Sequence, residues 1–147
     1  MGLITDYFIA GSDSEAARFL DGGVYGAGLD ADDLQEAKGI DPFVMLGTLE
    51  ATLTGQPYDE IAEGQGDPVG LGDDGGSGVV RVRGVLTTAL ADLAPGRVAE
   101  VAATWGRTEE FGPDADAEGP VEFLTGLSAL GRRAMTRGGD LYCWFSV

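Results

Sequence analysis

Residues 112–120, GPDADAEGP, place carboxylates at Asp114, Asp116 and Glu118, each two residues from the last, with Gly119 directly after. Oxygen donors at that spacing copy the opening of an EF-hand calcium loop, where positions 1, 3 and 5 supply ligands, glycine at 6 makes the turn and a bidentate glutamate at 12 closes the shell. Counted from Asp114, position 12 is Thr125, which has no pair of carboxylate oxygens. A helical pattern also begins near Pro120. The acids before it sit where the positive end of a helix dipole favours them, while Arg132, Arg133 and Arg137 collect at the opposite end. Both ends are explained without an ion, and no metal ligand is assigned.

Two further acidic clusters, Asp30, Asp32, Asp33 and Glu36, then Asp59, Glu60, Glu63 and Asp67, read as solvated surface in a chain with 25 Asp and Glu. A pair of them could still serve hydrolysis if the fold brought two together. Histidine is absent, which removes the commonest general base, the Ser-His-Asp and Cys-His arrangements and imidazole metal sites. Cys143 lies between Tyr142 and Trp144 with no base or helix N-terminus near it in sequence, so a buried structural thiol is favoured over a nucleophile. Lys38, the one lysine, precedes a glycine among acids and is read as solvated or ion-paired. GAGLDA, Gly26 to Ala31, has the letters of a dinucleotide fingerprint but neither a convincing strand before it nor a periodic helix after it. The Gly-rich segment carries Asp73-Asp74 and no lysine, unlike a phosphate loop. Trp105 reads as core, and Tyr58 as either a groove residue or an anchor. No catalytic, cofactor-binding or metal-binding residue is assigned, and no cofactor is expected.

The elements that would hold these residues are legible in part. LITDYFIA, residues 3–10, is a strand; Ser12 opens a helix with Glu15 as capping-box partner and Ala16, Phe19 and Leu20 as its apolar stripe. Asp41 as N-cap, Pro42 as the first helical residue and Phe43, Leu46, Leu49 and Leu53 at helical spacing predict a helix ending at Gly55, deep in the core, its stripe widened by Val44 and Met45. Residues 64–78 hold seven glycines and predict a mobile loop. VVRVR, residues 79–83, reads as a strand feeding a helix with Leu86, Leu90 and Leu93. Val98, Val101, Ala102 and Trp105 mark another helix, and a long one runs from about Pro120 to Arg137 before Gly138-Gly139. LYCWFSV then closes the chain as a strand too apolar to be left uncovered, and its obvious neighbour is the strand at the other end. The expected fold is α+β: a small mixed or antiparallel sheet that includes both terminal strands, packed against about four to five helices in one domain spanning 1–147.

The balance of 25 acids against 9 bases, a net charge of −16, repels polyphosphate and anionic lipid, so nucleic acid and membrane surfaces are poor partners and a basic protein is a good one. A lone cysteine, an N-terminus unlike a signal peptide and no apolar run of about 20 residues point to the cytoplasm.

Met1-Gly2 leading into an aromatic strand, the stretch from Lys38 to Leu53-Thr54-Gly55, and the closing LGRRAMTRGGDLYCWFSV together resemble the uncharacterised bacterial family typified by YfbM. The central helix departs from that pattern, because GIDPFVMLGTLEATLTG has neither the Trp nor the His such proteins tend to carry. The resemblance implies a small α+β fold and brings no mechanism. Two functional readings stand: a non-catalytic acidic module that binds a basic protein, and a small hydrolase using carboxylates and a divalent metal to activate water.

Overall fold

The structure is a computed structural model that describes residues 2–20, 29–73, 75–112 and 118–147. Five antiparallel strands, β1 (Ile4–Ala10), β2 (Leu34–Lys38), β3 (Gly70–Leu71), β4 (Ser77–Arg81) and β5 (Asp140–Ser146), form one sheet in the order β2-β1-β5-β4-β3. The first and last strands are central neighbours in register from Ile4 opposite Ser146 to Ala10 opposite Asp140. The two most apolar strands thus cover each other's edges.

Period-two alternation gives each central strand two buried faces. Tyr7, Ile9, Val80, Val82, Leu141 and Cys143 face the main core with α2 (Val44–Thr54), α4 (Gly84–Ala91), α5 (Val98–Trp105) and α6 (Glu118–Arg137). On the opposite face Phe8, Ala10, Val79 and Tyr142 meet Ala16 and Phe19 from α1 (Asp13–Ala17) and the turn after it. A short α3 (Tyr58–Glu63) packs beside α2, so the described residues contain six helices against the four to five expected. Among the described residues, no helix is long and apolar enough to cross a membrane.

Local chemistry fixes the element ends. Asp41 caps α2: its Oδ1 accepts from the N–H groups of Phe43 (2.8 Å) and Val44 (2.6 Å), and its Oδ2 from Met45 (3.3 Å). The regular helix nevertheless starts at Val44, and Val44 is exposed rather than part of the buried stripe, a correction to the sequence expectation. Ser12 caps α1 through the Glu15 N–H (3.2 Å), but the Glu15 carboxylate accepts from Gly11 (3.1 Å) rather than from the cap residue itself. Helix α6 ends in a Schellman motif: Gly139 N–H reaches the Ala134 carbonyl (2.9 Å), Gly138 N–H that of Met135 (3.3 Å), and Gly138 takes φ 69°. A Cβ on Gly139 would lie 2.9 Å from the Ala10 carbonyl oxygen, so the chain can enter β5 beside β1 only with glycine there.

Within the segment expected as a mobile loop, 64–78, the chain forms two pieces of strand. Gly70 and Leu71 pair with Val79 and Gly78, and β4 begins at Ser77, two residues before the predicted strand, and ends at Arg81. Gly78 leaves room inside the strand for the Phe145 ring, which stands 2.7 Å from where a Cβ would sit.

Candidate functional site

Chemistry-bearing side chains and open space coincide where β4 leaves the sheet. Arg83, two residues past the strand, turns back over α2. Its Nε donates to both carboxylate oxygens of Glu50, at 3.0 and 3.2 Å, and its Nη1 approaches the Ile61 carbonyl at the end of α3 (3.5 Å). Glu50 occupies the apolar stripe of α2, one turn from Leu46 and Leu53, and its side chain is only 1% exposed against 25% for Arg83. A carboxylate desolvated to that degree requires its cation, so this pair fixes α2, α3 and β4 relative to one another. Gly47 gives the face of α2 room for the Tyr58 ring, which stands 2.7 Å from where a Cβ would sit. Gln65 donates to the Phe43 carbonyl (2.8 Å) and ties the chain after α3 to the entrance of α2.

Two hollows adjoin this pair and share Gly66, Arg81, Val82 and Arg83 in their walls. The inner one, beside Phe43, Leu46, Val80 and Leu86, has about 30 Å³ of room, enough for a water or a small apolar group. The outer one is an open groove of about 270 Å³ between Asp13 of α1 and the Gly66–Val69 segment. Arg81 on its wall pairs with Asp140 at 3.5 Å, and Asp13 accepts the Tyr142 hydroxyl proton at 2.7 Å. The groove and its surroundings thus hold four carboxylates, Asp13, Glu50, Asp67 and Asp140, around two guanidiniums.

The candidates raised by the sequence fall elsewhere or take structural roles. Cys143 is buried, and burial holds its thiol far above the ordinary value; the neighbouring Tyr7 phenol is raised by burial too and donates to the Ile40 carbonyl (2.6 Å). Trp105 is core, its indole N–H donating to the Met45 carbonyl (2.9 Å). Asp59, Glu60, Glu63 and Asp67 are exposed on α3 and the segment after it. Asp33 is buried and bonded by Arg137 (2.6 Å), while Arg133 reaches the Asp32 carbonyl, so the α6 arginines find carboxylate and carbonyl partners in addition to a helix end. Lys38 closes β2, paired in register with Ile4. Asp114, Asp116 and Gly26 to Gly28 lie outside the described residues, and Glu118 is the first residue of α6. Among the described residues, no three His, Cys, Asp or Glu side chains converge in a way that could hold a metal ion.

Sequence reasoning missed Glu50, Arg83 and Asp6. Glu50 could have been flagged as an acid at a core position of an otherwise apolar helix, which demands a cation from elsewhere in the chain. Asp6, in the middle of β1 opposite Glu36, is 2% exposed with Oδ2 unpartnered among the described residues. Burial, and secondarily the charge of Glu36, raise its pKa. Compared with known proteins, the chain matches no family model, no curated protein and no solved structure.

Proposed function

We propose that this domain is a non-catalytic binding module whose partner is a basic protein, engaged through the acidic face of α3 and the segment leading from it to β3. One observation carries the reading. Between Gly39 and Val80 the chain contains eight carboxylates and not one lysine or arginine. That run forms α2, α3, β3 and most of β4; Glu50 is buried against Arg83, while Asp59, Glu60, Glu63 and Asp67 are exposed, with Asp67 in the wall of the groove. Arg81, Arg83, Arg133 and Arg137 are meanwhile bound to carboxylates and Arg132 to the Leu93 carbonyl. Negative potential concentrated on one face accelerates encounter with a cationic surface and repels anionic ones. The YfbM-like resemblance adds no ligand or chemistry to this reading.

The test is affinity capture from an extract of the source cell, with the wild-type chain and with an Asp59→Asn, Glu60→Gln, Glu63→Gln variant, at about 50 mM and about 500 mM salt. The reading expects basic proteins held by the wild type at low salt and released both by salt and by the triple substitution. Capture that is indifferent to those three charges would overturn it.

A further inference from the structure

The groove beside Arg83 contains an unfinished sheet edge. Strand β3 is two residues long, and at its start Val69 donates to the Val79 carbonyl (2.8 Å) while Gly70 is the register partner of the same residue. Two residues opposite one make a bulge, which bends the chain away from its neighbour. Pro68 precedes it and has no N–H with which to extend the ladder. Strand β4 continues beyond that point. Ser77 and Val79 turn their carbonyls outward, to Gly72 (2.9 Å) and Val69, whereas Val82 turns its N–H inward to Leu141 (2.9 Å). By that alternation the N–H and C=O of Arg81 point outward, into the groove of about 270 Å³, where among the described residues no main-chain group pairs with them.

We infer that this edge accepts a short extended segment of a basic protein, added as a strand against β4 at Arg81. The inference rests on the proposed function and gives it a docking mode. Main-chain hydrogen bonds to Arg81 supply a register without reading sequence. Charge supplies the preference: Asp13 and Asp67 line the groove, and the guanidiniums of Arg81 and Arg83 are already matched by Asp140 and Glu50, so an incoming lysine or arginine meets unmatched carboxylate. The adjoining hollow of about 30 Å³, walled by Phe43, Leu46, Val80 and Leu86, admits a small apolar side chain and excludes a ring.

The probe is the hexapeptide Lys-Val-Lys-Val-Lys-Val, capped at both ends, added to the isotope-labelled full chain while amide exchange is followed residue by residue. In the free protein the Arg81 amide exchanges faster than that of Val82. On saturation with the peptide it slows by about tenfold or more, as one added hydrogen bond implies. The Glu-Val counterpart leaves it unchanged, and N-methylation of the valine amides abolishes the protection. Asp67→Lys weakens peptide binding without altering the melting temperature. A peptide that binds while Arg81 exchange stays unchanged overturns the docking mode and leaves the basic-partner reading standing. Failure of the peptide to bind at low salt also overturns the docking mode, and the capture experiment then decides the reading independently.

Discussion

Removing the guanidinium of Arg83 isolates one carboxylate in the core, and the cost follows from the geometry. In Arg83→Leu the Glu50 side chain, 1% exposed, loses both hydrogen bonds from Nε at 3.0 and 3.2 Å. Breaking one partner out of a buried pair costs about 3–5 kcal/mol. The quarter exposure of Arg83 and the adjoining hollow, large enough for a water, let solvent reach the orphaned carboxylate, which places the expected loss near the lower end, about 3 kcal/mol. For a domain of this size that is a fall in melting temperature of roughly 6–12 °C. The paired substitution Glu50→Leu with Arg83→Leu removes both charges and both desolvation penalties, so it recovers to within about 1 kcal/mol of wild type or exceeds it. Urea unfolding of the wild type, the two single variants and the double variant closes the cycle. A single Arg83→Leu that shifts the melting temperature by less than about 2 °C, or a double variant as unstable as the single, would refute the claim that this pair holds α2, α3 and β4 together.

Other outcomes follow from the same structure. Because burial raises the Asp6 pKa above its unfolded value, its favourable contribution is complete below the unfolded pKa and is lost as pH rises through the folded one. Asp6→Asn is therefore more stable than wild type by about 1 kcal/mol at neutral pH, and the gap closes on acidification, as urea midpoints measured from about pH 3 to about pH 7 will show. Asp41→Ala frees three N–H groups at the start of α2 and costs about 1–2 kcal/mol, with Asp41→Asn recovering most of it in the same assay. Cys143, buried with its thiol held protonated, reacts with a thiol reagent at neutral pH only as fast as the protein unfolds, so labelling in native buffer and in urea differ by orders of magnitude.

The sequence made some of this visible because burial was written in the residue types. LITDYFIA and LYCWFSV are apolar enough that each needs a partner, and the observed β1–β5 pairing is that partner. Helices α2, α5 and α6 announce themselves through the Asp41 cap, the Val98-to-Trp105 stripe and the Gly138-Gly139 stop. Strand β2 was silent for the opposite reason: LQEAK is an edge strand, and edges are kept charged, which erases the propensity that marks central strands. Helix α3 hid because six residues with one buried side chain, Ile61, carry no readable period. Glycine suggested a loop where Gly78 answers instead to the Phe145 ring. The groove lay beyond sequence altogether, since Asp13, Asp67 and Arg83 come from separate stretches of the chain and only the fold joins them.

The acidic-face account is tested most directly by zero-length carbodiimide cross-linking of the complex recovered by capture, with the joined residues identified by mass spectrometry. The account predicts bonds from Asp59, Glu60, Glu63 or Asp67 to lysines of the partner. Cross-links that fall instead on the exposed acids of other elements, such as Glu100, Glu109 and Glu122, would contradict it.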